Sequence, residues 1–405
     1  MKIGKFASEN NISVDTIRYY MDLGLLVPQK LGGHYDFDKR CKGDLENIIR
    51  FKDMGFTLNE IKNLFIFKKL GKLTPYEEDQ HYKAFFTNKY KEVNDKIRDL
   101  VKTREFLKGK IDELSEVKYG DNFKMGIDIN LLNFFICRNC KSNLILNEGN
   151  IENNKIIKGK LTCRCGKEYI IEDGIMILNK ETLGKTGIDS SHTMVEYINE
   201  THPRYLENIY ISLEWGHKNI EFNDLKDKVI LDLGSGSGFF LRYVYEDLPE
   251  DAVYIAVDHD INRHRFLKDI LQKSSIEKNI IFICCDFLDM PIKDKSIDVV
   301  IDSTGTTNYS FTNKEFLLRL TDNYIKENST LLGSYLLFEN FGINTKIGVK
   351  YRKNFILDNI KKEIKDLNYK IIRQKVGDPL DQGGKYEDYF KEGERVFSYS
   401  VYSKR

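Results

Sequence analysis

No run of apolar residues in this sequence approaches the length of a bilayer-spanning helix, and the opening MKIGKFASENN holds no apolar core of a secretion signal. A cytoplasmic protein with no membrane partner is therefore expected. Charge of one sign is also lacking, since 63 Lys+Arg against 62 Asp+Glu leave a net charge of +1. The whole chain is no polycation, so any contact with nucleic acid must come from a local arrangement. Seven cysteines are too few for a disulfide scaffold, and four of them crowd between 137 and 165. Six prolines beside abundant Lys and Asn reflect a biased base composition, from which no function is read. At 405 residues and 41% hydrophobic, the chain is an ordinary globular one, too long for a single core, so two or more domains are expected.

What is present begins with two short helices. Residues 2–10 read as the first, and Asn11-Ile12-Ser13 introduces a second over 14–21, with Ser13 as its N-cap. Gly24-Leu25-Leu26-Val27-Pro28 ends that helix, and the pair Gly32-Gly33 with Tyr35 and Phe37 reads as a small hairpin or wing. Helical periodicity returns over 45–51 and 58–67, on either side of Gly55-Phe56-Thr57. Tyr19 and Tyr20 are adjacent, so at least one of them packs in the core.

Three segments carry a resemblance: Ser13-Val14-Asp15-Thr16-Ile17-Arg18-Tyr19-Tyr20, then Gly24-Leu25-Leu26-Val27-Pro28, then Asp53-Met54-Gly55-Phe56-Thr57-Leu58-Asn59-Glu60-Ile61. In order and spacing they resemble the winged helix-turn-helix DNA-binding domain of the MerR family of bacterial regulators, here residues 1–75. The resemblance implies that Ser13, Asp15, Thr16, Arg18 and Tyr19 belong to the groove-facing helix and that Lys30, Tyr35 and Lys39 lie along phosphates. After Tyr35 the family often has Arg. This chain has Asp36, which phosphate repels, so a weaker or unusual DNA site is expected.

Beyond the head, Phe86, Tyr90, Val93, Ile97, Leu100, Arg104, Leu107, Ile111 and Leu114 recur at steps of four and three, the seam of a coiled coil. Residues 76–118 are thus expected to form one long helix whose narrow apolar stripe needs a partner. The resemblance implies one, an antiparallel homodimer that presents two heads to an inverted-repeat promoter site in double-stranded DNA. A seam against the following domains is the alternative. Arg104 on the seam destabilises it unless the guanidinium meets an acid or reaches solvent.

Cys137-x-x-Cys140 and Cys163-x-Cys165 form two close pairs, as a tetrahedral zinc site on two turns requires. Residues 119–183 are expected to be a small zinc ribbon with structural Zn2+ on these four thiolates, although the second pair has one intervening residue where two are usual. Strands are expected within 144–162, joined by the turn Asn147-Glu148-Gly149-Asn150 with another at Asn153-Asn154. The stretch 161–178 resembles the zinc ribbons that accompany some methyltransferases, which implies a structural or substrate-holding role.

The last segment, 184–405, starts with a loop around Gly184-Lys185-Thr186-Gly187 and a mostly helical stretch over 193–222. A short apolar strand, 228–233, then runs into Gly234-Ser235-Gly236-Ser237-Gly238 and a helix over 239–248, the usual floor of a nucleotide pocket. Alone that bend is a weak signal. Its neighbours sharpen it, because the next strands end in acids: 252–257 in Asp258, 280–285 in Asp286-Phe287, and 296–304 in Asp302-Ser303. Later strands are expected at 330–338, 369–375 and 395–403, with a Gly/Asp-rich connection over 377–384. The ordered set resembles class I S-adenosylmethionine-dependent methyltransferases. By that resemblance Asp232, Gly234, Ser235, Gly236 and Gly238 line the methionine side, Asp258 holds the ribose, and Asp286 with Phe287 holds the adenine, with Asp302 and Ser303 at the sheet edge.

The expected architecture is multidomain, α+β and α/β: a winged helix-turn-helix, a long coiled-coil helix, a small zinc ribbon and a C-terminal Rossmann-like, seven-stranded methyltransferase domain. The expected function is a DNA-binding regulator with a fused methyltransferase. Methyl transfer needs alignment more than covalent help, so no catalytic base is fixed, and Asp302, His217 and His259 are the candidates. Asp302-Ser303-Thr304-Gly305 replaces the Asn/Asp-Pro-Pro-aromatic sequence of amino methyltransferases that act on DNA. Cys284 and Cys285 sit within a strand. A small-molecule substrate or effector is therefore favoured. The alternatives are a regulator whose methyltransferase-like domain only senses a ligand, and a ribosomal RNA methyltransferase.

Overall fold

The computed structural model describes residues 1–71, 74–116, 120–178, 190–389 and 391–405. The chain divides into two units, Met1–Lys118 and Tyr119–Arg405. The loop expected around Gly184 to Gly187 lies outside the described residues.

In the first unit Ser13 accepts the backbone N–H of Thr16 at 3.0 Å, and this cap separates helix α1 (Ile3–Glu9) from α2 (Val14–Asp22). A two-stranded wing follows, β1 (Gln29–Leu31) and β2 (His34–Asp36), turned by Gly32 and Gly33 at φ 53° and 85°. Helix α3 (Lys39–Asp53) begins earlier than its apolar periodicity, because Asp38 caps it through the Cys41 N–H at 2.9 Å. Before α4 (Leu58–Gly71), Thr57 and Glu60 form a reciprocal capping box. Phe6, Ile17, Tyr20, Leu45, Ile48 and Phe56 form the core, with Phe85 and Phe86 of the next helix packed on it. That helix, α5 (Pro75–Glu116), starts ahead of the seam residues because Thr74 and Glu77 cap it in the same way. Lys89 pins it to α4 through Glu60 at 2.8 Å.

The second unit is organised on one twelve-stranded sheet. Its first strands are β3 (Ile127–Asp128), β4 (Ile145–Glu152), β5 (Lys155–Thr162), β6 (Glu168–Glu172) and β7 (Ile175–Ile177). The expected turn Asn147-Glu148-Gly149-Asn150 is corrected, because these residues run inside β4, where Glu148, Gly149 and Asn150 pair with β5 and Asn147 falls at a register shift. Gly149 faces Gly159, and a Cβ on either would come within 3.0 Å of a facing carbonyl oxygen, so the glycines permit close strands and not a bend. The turn is at Asn153-Asn154, both at positive φ.

Two helices, α6 (Ser190–Glu200) and α7 (Pro203–Asn219), precede the rest: β8 (Val229–Leu233), α8 (Phe239–Val244), β9 (Val253–Asp258), α9 (Ile261–Gln272), β10 (Ile280–Cys284), β11 (Ile297–Ser303), α10 (Gly305–Ser310), α11 (Leu317–Leu320), β12 (Ile325–Asn340), α12 (Leu357–Asp366), β13 (Lys370–Val376) and β14 (Arg395–Lys404). Helix α8 is shorter than expected and passes into a 3-10 turn, Tyr245–Asp247, because Pro249 pushes Leu248 to extended geometry. Seven strands take the order β10-β9-β8-β11-β12-β14-β13, and β14 alone runs opposite to the other six. Winding goes outward from β8 to β10, then crosses back to β11 on the other side of β8. That reversal opens a crevice at the carboxyl ends of β8 and β11, where open α/β sheets bind ligands. On the far side β7 pairs in parallel with β10, so the strands whose connections carry the cysteines extend the same sheet.

Candidate functional site

Most of the residues expected to face a DNA groove are exposed on the head. Asp15 and Arg18 are exposed and paired at 3.1 Å, Tyr19 is 53% exposed, and Tyr20 is the buried member of the tyrosine pair. Lys30, Tyr35 and Lys39 are exposed on and beside the wing. Asp36 accepts the Met1 ammonium at 2.5 Å, which neutralises the charge expected to repel phosphate. Along α5 the stripe is bare: Leu100, Leu107, Ile111 and Leu114 are each at least 60% exposed. Arg104 pairs with Glu105 at 2.8 Å, so its charge points off the seam.

Cys137, Cys140, Cys163 and Cys165 converge, with all four sulfur atoms within 4.8 Å of one another. Cys137 lies 3.5 Å from Cys165, and Cys140 lies 3.1 Å from Cys163. Zinc bound tetrahedrally at about 2.3 Å sets thiolates at roughly this spacing, so the cluster fits a closed structural site. Gly166, at φ 83°, shapes the second knuckle and donates to the Cys163 carbonyl at 2.8 Å. The single residue between the last two cysteines therefore does not prevent their convergence.

At the switch point, Gly234, Gly236 and Gly238 all take positive φ, at 77°, 54° and 75°. The N–H groups of Gly234 and Ser235 donate to the Val257 carbonyl at 2.9 and 3.0 Å, which folds the bend over the tip of β9. Asp258, 2% exposed, accepts from Gly236 N at 2.9 Å and from Asp260 N at 2.9 Å. Asp232 is buried beneath the bend. Its Oδ2 accepts the Tyr254 hydroxyl at 2.9 Å, and its Oδ1 has no partner among the described residues. Burial lifts Asp232 to about 7, with Asp302 and Asp258 adding repulsion. Asp286 sits at the exposed tip of the third strand, where its Oδ1 accepts Leu288 N at 2.9 Å.

A cavity of about 1130 Å³ opens over these tips. Asp232, Gly234, Ser235, Gly236, Asp258, Asp286, Phe287 and Ser303 line it. Gly238 does not. It starts α8, and there a Cβ would lie 2.3 Å from Leu267 Cδ1. The three candidate bases separate. His259 lines the cavity, with Nδ1 3.4 Å from Asp258 Oδ1. Asp302 lies behind the wall, fully buried, accepting Thr306 N at 2.8 Å, and burial raises it to about 6. His217 is outside the lining and pairs with Asp247 at 2.8 Å.

Two features escaped the sequence. Gly305 packs so closely under the bend that a Cβ would fall 1.8 Å from the Leu233 carbonyl oxygen, and Thr304 beside it holds φ 66°. The motif Ser303-Thr304-Gly305 after a strand was the available clue. The opposite wall, with Tyr197, Tyr205, Tyr386, Glu387 and Tyr389, had none, because α6, α7 and the connection after β13 assemble it from distant segments.

Two family models match separate parts of the chain. Residues 1–66 match the family model described as MerR HTH family regulatory protein, and residues 224–389 match that of a methyltransferase domain. The HTH-type transcriptional regulator HmrR of Rhizobium leguminosarum bv. viciae is 30% identical over 112 residues, covering 26% of this chain and 81% of that protein. Among solved structures, a SAM dependent methyltransferase from Aquifex aeolicus is 17% identical at a TM-score of 0.35, covering 54% of this chain and 99% of its own. A SAM-dependent methyltransferase from Methanosarcina mazei is 13% identical at 0.33, covering 47% and 95%. Among the described residues, no helix is long and apolar enough to cross a membrane. The chain belongs to the MerR family of helix-turn-helix regulatory proteins and carries a methyltransferase domain in its C-terminal half.

Proposed function

We propose that this protein is a dimeric DNA-binding regulator that takes S-adenosylmethionine at the glycine bend and methylates a small molecule in the cavity above it. One observation carries the reading: a glycine-rich bend, three strand-tip acids and a cavity meet at the switch point of the sheet. The cofactor would supply an activated methyl group on a sulfonium. Gly234 and Gly236 leave room for close backbone approach, and the unpartnered Asp232 Oδ1 suits an ammonium. Asp258 suits the ribose hydroxyls, and Asp286 with Phe287 suits the adenine. The remaining work of the chain is alignment of the acceptor, an orientation effect. His259, exposed at the rim, is the residue placed to take a proton where an acceptor must lose one.

Calorimetric titration with S-adenosylmethionine and S-adenosylhomocysteine tests the binding half, and a radiolabelled methyl-transfer screen with metabolite extracts tests turnover. Absence of binding to either ligand overturns the cofactor reading. Tight binding with no transfer from any extract replaces the enzyme with a sensor, and transfer to purified ribosomal RNA replaces the small acceptor.

The dimer reading rests on the bare stripe of α5, which exposes Leu100, Leu107 and Ile111 at coiled-coil spacing. Sedimentation should give a dimer that Leu107→Glu converts to monomer. Footprinting of the upstream region should give a two-fold pattern, which Arg18→Ala weakens through the groove and Lys30→Ala weakens uniformly across sequences.

A further inference from the structure

The wall opposite the glycine bend has a chemistry of its own. Glu387 is 6% exposed and lines the cavity. Its Oε2 accepts Gly384 N at 2.9 Å and the Thr201 hydroxyl at 3.5 Å. Among the described residues no cation pairs with it. The basic side chains that line the cavity, Arg263 and His259, both stand beside Asp258 instead. A buried carboxylate without a counter-charge is costly unless something else supplies one.

What surrounds Glu387 is aromatic. Tyr197, Tyr205, Tyr386 and Tyr389 all line the same cavity, with the rings of Tyr197 and Tyr386 5.7 Å apart. The hydroxyls of Tyr205 and Tyr389 bond to each other, which fixes both rings. Burial pushes the phenols of Tyr197, Tyr205 and Tyr389 well above their ordinary value, and the Glu387 charge adds to each, so they remain neutral. Neutral phenol faces are electron-rich and attract a cation, and a desolvated site strengthens that attraction.

We infer that this wall is a cation subsite, in which the Glu387 carboxylate and the faces of Tyr197, Tyr205 and Tyr389 hold an organic ammonium group of the acceptor. The inference rests on the reading of the cavity as an acceptor site and narrows its substrate class to amine-bearing or quaternary ammonium small molecules. An anionic acceptor is disfavoured by Glu387, and an uncharged one would leave that carboxylate without a counter-ion. The group held here is a handle for recognition, and the reacting atom lies elsewhere on the acceptor or next to it.

The test uses the full chain saturated with S-adenosylhomocysteine and two probes of equal shape, choline and its uncharged carbon analogue 3,3-dimethylbutan-1-ol. Calorimetry should show choline binding about tenfold or more tightly than the alcohol. Glu387→Gln, which keeps an acceptor for Gly384 N, should remove that preference while leaving the unfolding temperature and S-adenosylhomocysteine affinity unchanged. Tyr197→Phe should keep choline binding, and Tyr197→Leu should weaken choline while leaving the affinity for 3,3-dimethylbutan-1-ol unchanged, a loss confined to the charged probe that lost packing would not produce. Equal affinity for the two probes, binding of neither, or a choline affinity that Glu387→Gln leaves intact overturns the inference. If S-adenosylhomocysteine fails to bind while the choline preference persists without it, the cofactor reading falls and the cation subsite stands.

Discussion

The Asp258 carboxylate accepts the Gly236 backbone N–H at 2.9 Å, so the tip of β9 holds in place the bend that leaves β8. Its other oxygen takes Asp260 N, and the Arg263 guanidinium lies 3.8 Å away. One buried side chain therefore sets the shape of the site and offers its remaining lone pairs to a ligand.

Replacing it separates the two roles. Asp258→Asn keeps an oxygen for Gly236 N but turns its amide NH2 against Asp260 N–H, so it should cost about 1 kcal/mol of stability while weakening S-adenosylhomocysteine about tenfold or more, since a charged acceptor becomes neutral. Asp258→Ala leaves buried donors unpaired and should also destabilise the unit by about 1–3 kcal/mol. Calorimetry with thermal melting reads both. An Asn variant that binds as the native protein does would remove Asp258 from the ligand site.

The glycines make different demands, and alanine substitutions should rank accordingly. Gly236→Ala has φ 54° but no atom nearer than 3.9 Å to the new Cβ, so it should fold with a penalty of about 1 kcal/mol and show its effect in cofactor affinity. Gly238→Ala drives a Cβ into Leu267, a side chain with some freedom to shift. Gly305→Ala meets the Leu233 carbonyl at 1.8 Å, where only the main chain can move, and should be the least stable of the three. Thermal unfolding checks the order, and a Gly305→Ala protein as stable as Gly236→Ala would contradict this packing.

Asp232 and Asp302 end adjacent strands and are both pushed up by burial, to about 7 and about 6. Unfolded, each would release its proton near its ordinary value of roughly 4. The folded state thus holds protons that the unfolded chain lacks, so this contribution to stability is complete below roughly pH 4 and is lost as pH rises through 6 and 7. Asp302→Asn should flatten that decline around pH 6 in a melting series. A cation beside the free Asp232 Oδ1 favours its ionised form, so S-adenosylmethionine binding at about pH 6.5 should release protons. Calorimetry in two buffers of different ionisation enthalpy measures the release, and proton-neutral binding would sink the assignment.

Local chemistry made much of this legible. Capping residues such as Ser13, positive-φ glycines and strand-tip acids declare themselves within a few residues, because the forces that need them act over that range. The turn misplaced at Asn147 to Asn150 shows the limit. Gly149 serves a close strand partner, Gly159, whose identity no local pattern reveals. The same holds for Asp302, whose position behind the cavity wall depends on α10 folding back over it, and for Glu387, which meets Tyr197 from 190 residues away in the chain on the order of a whole domain.

Sheet continuity makes the metal site a matter for the whole second unit. Ile175, Met176 and Ile177 of β7 pair with Phe282, Ile283 and Cys284 of β10, and one core runs from Cys137, Leu144 and Tyr169 to Ile281 and Ile292. If zinc ties the two knuckles, its removal loosens β5 and β6, which brace β7 against the strand that ends at Asp286. Chelation, or Cys163→Ser, should therefore abolish bound zinc in metal analysis and lower the single unfolding transition of the unit by about 5 °C or more, without a separate early transition for the ribbon. S-adenosylhomocysteine affinity should fall with it, because Asp286 and Phe287, proposed to hold the adenine, follow the braced strand. A zinc-depleted protein with unchanged melting and binding would mean that the four cysteines pack as thiols and that the sheet needs no metal to hold its edge.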